Sequence, residues 1–244
     1  MTSSGLQEAV EPCENCYTGP GQCKVNQTCQ AAVITNGTAT NIVFAEESSN
    51  VELVANEKDC FVDLDVVAIG GGGNYVDNTY GGAGSGYVEA AKIRLSIKDP
   101  LMKVTVGSAG GPSMVEVGEE VLLEAAPGEG PDSVKGGDGY CGGGGLGGSA
   151  RGGSDGGDGE DGTDTAGGSG SGLNLDLLSM KSFILTPGGG GDPGSSSHGG
   201  GGGGVIVNGK IPGDNQYMGK GYGGGAADFS NADKGYPGCV LVAR

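Results

Sequence analysis

Five acidic residues share one short glycine-rich run: Asp155, Asp158, Glu160, Asp161 and Asp164 in DGGDGEDGTD. Calcium takes about six to eight oxygen ligands, and carboxylates and carbonyls on a pliable glycine backbone supply them. These five are the chain's candidate metal ligands, with calcium as the ion. The run lacks the D-x-D-x-D-G loop and the closing glutamate of an EF-hand. It also lacks the apolar position and the repetition of calcium-binding nonapeptides. The competing reading is a solvated edge, because Asp155, Asp158, Asp161 and Asp164 recur at every third position along one extended helix. No cofactor other than calcium is expected.

Cysteine is the second reactive type. The seven are Cys13, Cys16, Cys23, Cys29, Cys60, Cys141 and Cys239. The first four follow C-x2-C-x6-C-x5-C, a spacing that does not fit a zinc site, and the single histidine, His198, is far along the chain. Two N-glycosylation sequons lie in the same stretch, at Asn26 (Asn26-Gln27-Thr28) and Asn36 (Asn36-Gly37-Thr38). Clustered cysteines beside sequons point to a secreted, extracellular, disulfide-bonded chain. All seven are disulfide candidates, and the odd count leaves one thiol free or joined to another chain. Cys141 and Cys239 each sit where a glycine tract meets the fold. Cys60, opening a core strand, is the natural partner for either, with the connectivity left open.

Catalytic patterns occur only by accident of composition. Gly152-Gly153-Ser154-Asp155-Gly156 matches G-x-S-x-G, but no apolar strand leads into it. Gly137–Gly142 and Gly219–Gly224 match G-x-G-x-x-G, yet neither stands between a strand and a helix. His198 follows three serines, and adjacent residues rarely face each other as base and nucleophile. The expectation is a protein that is not an enzyme.

Thirty acidic against thirteen basic side chains leave a formal net charge of −17. That excludes nucleic acid and anionic membranes as partners, since both require a basic footprint. No apolar run reaches the length of a membrane span, so no membrane insertion is expected. The opening MTSSGLQEAVEPC carries no apolar stretch of the secretory-leader kind, so a mature secreted form is expected.

The elements that must position these groups are mostly strands. Residues 1–30 form a polar, cysteine-clipped segment with too few apolar residues for a core of its own, a small disulfide knot or a docking arm. From residue 31 to 244 the texture is that of one β-domain. Asn41–Phe44 and Val51–Ala55 are short and β-rich. Phe61–Ile69 alternates Val62, Leu64 and Val66 against Asp63 and Asp65, then turns apolar on both faces. Ala91–Lys98 alternates in the same way. Met102–Val106 follows the turn signal Asp99-Pro100. Met114–Val117 and Val121–Ala125 form a hairpin around Gly118-Glu119-Glu120. Ser182–Leu185, Val205–Val207 and Cys239–Val242 complete about ten strands, a spacing typical of sandwiches. Leu173–Met180 is a short helix or an edge strand.

Fifty-seven glycines interrupt these strands, chiefly at 70–86, 136–172, 188–204 and 219–225. In the longest tract glycine recurs at Gly136, Gly139, Gly142, Gly145 and Gly148, then in a second register at Gly153, Gly156, Gly159 and Gly162. A period of three belongs to an extended helix of the polyproline II kind, with glycine on its crowded side. Collagen is excluded by the register slip and by the lack of proline between Pro131 and Pro187. Each ordered glycine costs roughly 0.5–1 kcal/mol relative to alanine, so dense hydrogen bonding must hold such tracts if they are ordered. Seven tyrosines, Tyr75, Tyr80, Tyr87, Tyr140, Tyr217, Tyr222 and Tyr236, fall in or beside them. They cap the tracts or form a recognition surface.

VVAIGGGGN (Val66–Asn74), YGGAGSGYVEA (Tyr80–Ala90), MKVTVGSAGG (Met102–Gly111) and the closing GYGGGA…GYPGCVLVAR occur in a telling order. Together, over residues 55–244, they resemble the glycine-rich domain family. Its members are the glycine-rich domains of metazoan secreted proteins, of the anaplastic lymphoma kinase and leukocyte tyrosine kinase ectodomains, and of some phage tail-fibre adhesins. The resemblance implies a jelly-roll-like antiparallel β-sandwich whose glycine-rich inserts pack as a bundle of polyglycine II helices. Kinase and membrane segments are lacking here and the tract is far more acidic, so receptor or cytokine binding does not carry over.

The function expected is that of a non-catalytic, secreted structural or assembly protein of an extracellular matrix, filament or coat. Its partners would be further copies of itself or other extracellular proteins and glycans. The alternative is an extracellular recognition module, an adhesin or ectodomain fragment binding protein or glycan. Ice binding fits less well, because the acidic tract offers no regular flat face.

Overall fold

The computed structural model describes residues 31–35, 37–55, 60–75, 82–131, 182–191, 200–227 and 233–244. Among them the chain is all-β, as expected, and every strand pairing is antiparallel. The strands are β1 (Ala31–Thr35), β2 (Thr38–Ala39), β3 (Ile42–Ala45), β4 (Ser49–Ala55), β5 (Phe61–Ile69) and β6 (Val88–Ser96). They continue as β7 (Leu101–Thr105), β8 (Ser113–Val117), β9 (Glu120–Ala125), β10 (Leu185–Pro187), β11 (Val205–Val207) and β12 (Cys239–Ala243).

Three sheets stack in layers. A six-stranded sheet in the order β2-β1-β4-β7-β8-β9 faces a four-stranded sheet in the order β3-β12-β5-β6. Between them lies the main core: Val51, Leu53, Met102, Val104 and Val115 from one side, Val62, Leu64, Val66, Leu95 and Val240 from the other. The hairpin β10-β11 lies against the far side of the four-stranded sheet. There Phe183, Leu185, Val205 and Val207 bury Val67, Ile69, Val88, Cys239 and Leu241. This third layer explains β5. Its first half alternates because only one face is covered, and Asp63 and Asp65 pair with Arg94 and Lys92 opposite them on β6, at 2.8 and 3.2 Å. Its second half, and the whole of β12, are covered on both faces and are apolar throughout.

The hairpin β8-β9 turns at Gly118, whose φ of +64° favours glycine. The register then passes from Glu116↔Val121 to Val115↔Leu123, so Leu122 forms a bulge. At the open edge of β3, the Thr40 hydroxyl donates to the Ile42 carbonyl (2.6 Å) and accepts from the Ile42 N–H (3.1 Å). One side chain thereby satisfies two edge groups that would otherwise invite another strand. Two details differ from the sequence reading. The strand placed at Ser182–Leu185 is Leu185–Pro187, because Phe183 is used as a core side chain ahead of it. And twelve strands are described instead of about ten, with β1 and β2 forming a hairpin ahead of Asn41. The segment Leu173–Met180 lies outside the described residues.

Candidate functional site

Beyond the ends of β5, β6, β10 and β11 runs a layer of extended, strandless chain. Its hydrogen bonds follow one rule. Gly70 N–H donates to the Tyr87 carbonyl, Gly71 to Gly111, Gly72 to Tyr236, and Gly73 returns to the first neighbour at Gly84, each at 2.9 Å. Successive N–H groups thus reach three different chains, and the fourth repeats the first. Other segments behave alike. Ala83 and Gly86 donate to Ala226 and Gly223, while Gly84 and Tyr87 donate to Glu129 and Ala126. Gly188 and Gly191 donate to Gly204 and Gly201, and Tyr222 and Gly225 to Val205 and Gly202. In each of these pairs the neighbour runs antiparallel. Gly201 and Gly204 donate to Tyr217 and Lys220, whose numbers rise together, so that pair of chains is parallel. A strand would alternate between two sides and an α-helix would bond within itself. A return every three residues is neither.

Glycine is demanded by the closeness of these chains. A Cβ on Gly72 would collide with the Gly224 carbonyl, one on Gly225 with Ala83, and one on Gly219 with Gly202. The obstacle is backbone in every case, so no side chain can turn aside. The small residues Ala83, Ser85, Ala226 and Ala227 join the glycines in full burial here, and Tyr222 is the large side chain buried with them. Ser113, which opens β8, ties the two sheets together where the layer begins: its buried hydroxyl donates to the carbonyl of Ile69, the last residue of β5, at 2.6 Å and accepts from Gly107 N–H at 2.9 Å.

One polar cluster bridges all three parts. Tyr222, in the glycine layer, is fully buried in its ring, and its hydroxyl donates to Glu46 Oε1 at 2.5 Å, just beyond β3. Lys210 Nζ lies 3.4 Å from Glu46 Oε2 and 5.0 Å above the Phe44 ring. Phe44 meets Tyr222 edge-to-face at 5.4 Å and Phe183 at 6.5 Å. Lys210 is set in place by the tight turn Asn208-Gly209, with φ of +50° and +74°, which closes Val207 onto Lys210. Asn208 Oδ1 in turn accepts from Ile184 N–H at 2.8 Å.

The Tyr222 phenol, helped by Lys210, holds the Glu46 carboxyl below its ordinary value. Burial, then the hydrogen bond to Glu46 and its charge, push Tyr222 well above the usual phenol range. The two shifts move apart, so the carboxylate stays ionised and the phenol stays protonated over the whole neutral range. Such a pair keeps its shared proton on Tyr222. The geometry is that of a clamp.

Cys60 is buried and disulfide-bonded. Cys239 corrects the sequence reading, which placed it among the disulfide candidates with Cys60 as partner. It is a free thiol, buried within the second core on β12, opposite Ile69, and burial raises it well above the ordinary thiol value. Cys13, Cys16, Cys23, Cys29, Cys141, Asn26 and Asn36 lie outside the described residues, as do Asp155, Asp158, Glu160, Asp161, Asp164 and His198. Among the described residues no group of three or more His, Cys, Asp or Glu side chains gathers in a metal-binding arrangement, and no helix is long and apolar enough to cross a membrane. Among the described tyrosines Tyr222 is the buried one, and Tyr80 and Tyr140 lie outside the described residues. Tyr75, Tyr87, Tyr217 and Tyr236 are half-buried, with the Tyr236 hydroxyl accepting from Asn215 N–H at 2.8 Å.

Sequence reasoning missed Glu46, Phe44 and Lys210. The dipeptide Asn208-Gly209 between β-rich residues is a strong hairpin signal and would have placed Lys210. Glu46 had no local signal, since its partner lies 176 residues away. No family model, no curated protein and no solved structure matches the chain.

Proposed function

We propose that this chain is a secreted, non-catalytic, glycine-rich structural protein that assembles into an extracellular matrix, filament or coat. In this reading its glycine layer is a bundle of polyglycine II helices carried on a β-sandwich, as in the glycine-rich domain family. The observation behind the reading is the return of hydrogen bonds to the same neighbour every three residues. That is the repeat of an extended three-fold helix, whose N–H and C=O groups point outward in three directions instead of along its own axis. Helices inside such a bundle find all their partners within the molecule. Helices at its boundary direct part of their backbone outward, and buried backbone groups must be paired. A second copy presenting the same repeat supplies those partners without any specialised side chain, which is how a stiff module adds to itself. The clamp at Glu46, Lys210 and Tyr222 fits the same role, because it ties the bundle to the sandwich.

The test is the size of the unreduced protein over a wide concentration range, with and without calcium. Larger species that grow with concentration are expected. A monomer at every concentration and calcium level overturns assembly, and a monomer that then captures glycans or cell-surface protein supports a recognition module in its place. Calcium-dependent growth would bring the acidic run at Asp155–Asp164 into the assembly.

A further inference from the structure

The uncovered face of the six-stranded sheet carries an apolar row at one end. Val54 near the end of β4, Leu101 at the start of β7, and Val121 and Leu122 at the start of β9 are 44%, 46%, 46% and 38% exposed. Their chain neighbours Leu53, Met102 and Leu123 face the core, so the exposed four stand on the open side. The pairings Glu52↔Leu101 and Val117↔Glu120 bring them to the same end of the sheet. Val54 and Leu101 stand on the adjacent strands β4 and β7, and Val121 and Leu122 lie on β9 with β8 between. Scattered apolar residues need no explanation, but several gathered at one end of an open face mark a surface that is covered.

Two observations point to what covers it. Ala31, where β1 begins, pairs with Ala55, the residue after Val54, so residues 1–30 join the sheet at this end. Cys60 opens β5 at this end as well: its carbonyl accepts from Ile97 N–H, a few residues before Leu101. Cys60 is disulfide-bonded, and Cys239 is free and so is not its partner. Of the other five cysteines, Cys13, Cys16, Cys23 and Cys29 all fall within residues 1–30, and only Cys141 does not.

We propose that residues 1–30 are a docking arm that lies over the row of Val54, Leu101, Val121 and Leu122, pinned by a disulfide from Cys60 to one of Cys13, Cys16, Cys23 or Cys29. The arm brings Leu6, Val10, Tyr17 and Val25 as apolar groups for that row. Its role is to cap one end of the sandwich, away from the glycine layer, and so confine self-association to the other parts of the surface.

Two measurements on the full chain test this. Peptide mapping without reduction is expected to find Cys60 joined to a peptide from residues 1–30; Cys60 joined to Cys141 overturns the proposal. Lys24 is the single basic residue of that segment, and hence its one tryptic site. Under native conditions cleavage after Lys24 is expected to be at least about fivefold faster in the double variant Val54→Ser, Leu101→Ser than in the wild type. Both positions are exposed, so the sandwich should persist, and its circular dichroism checks this. Equal cleavage rates overturn the proposal. So does a wild-type rate that falls as protein concentration rises, which would assign the row to a second copy.

Discussion

Leu64 and Leu241 leave water by placing side chains between sheets, whereas Gly72 and Gly225 are buried with no side chain to place. In the sandwich two forces share the labour: ladder hydrogen bonds act within each sheet, and apolar burial acts between sheets. In the glycine layer one force acts in every lateral direction, because each chain bonds to three neighbours. The sandwich therefore depends on the shape of its side chains and the layer on their absence. Damage to the first is done by making a residue smaller, and to the second by making it larger.

The largest effect tests the sandwich half of that contrast. Leu64→Ala should cost about 3–4 kcal/mol in denaturant unfolding, the transfer loss plus the cavity left between two sheets. Next comes its mirror image. Gly72→Ala adds one methyl against the Gly224 carbonyl and should cost about 2–3 kcal/mol, since backbone must move. Gly189→Ala, with open space around its Cβ position, should change stability by less than about 1 kcal/mol. Equal costs at Gly72 and Gly189 would break the comparison.

The clamp sits where the two regions meet, and its effect is smaller. Tyr222→Phe removes the donor to Glu46 and should cost about 1 kcal/mol, because the half-exposed carboxylate regains water. Its pH dependence sharpens the assignment. The folded Glu46 lies below its ordinary 4.5, so its contribution is present above that value and lost as pH falls through the folded pKa. The stability gap between wild type and Tyr222→Phe should begin to close as pH falls below 4.5 and be gone once it has passed the lowered folded value. Folded Tyr222 is raised, so its contribution is present below 10.0 and lost as pH rises beyond it, and the gap should close there too. A gap that is flat from pH 3 to 11 would remove the clamp from the account.

The smallest effect belongs to the exposed end of β5. Asp63→Asn breaks an ion pair with Arg94 that is open to water, and should cost about 0.5 kcal/mol or less, vanishing in high salt.

The two regions also differ in how far they are legible in the sequence. Phe61–Ile69 was readable to its last residue, because alternation and then an all-apolar run are direct imprints of one covered face and then two. Val205–Val207 and the β8-β9 hairpin were readable for similar reasons of pattern and turn chemistry. The glycine layer writes no such imprint. Glycine runs announce that chains come close, but the partner of Gly72 is Tyr236 and that of Gly202 is Ala83, and nothing in either stretch names the other. The clamp was hidden for the same reason: Glu46 reads as one acidic residue among thirty until the fold brings Tyr222 to it. Cys239 was misjudged because its place on the last strand was visible and the layer that seals it was not.

The three-residue return of hydrogen bonds has a consequence for how such a chain can change length. Removing or adding three residues in a segment like 200–204 or 222–225 slides it by one full repeat and leaves each N–H facing the neighbour it faced before. Removing one or two rotates every later N–H toward the wrong neighbour. A β-strand counts in twos and a helical seam in sevens, so this layer has its own arithmetic of tolerated insertions. Loops grafted between its segments, or tracts lengthened by whole triplets, are the edits such an architecture accepts.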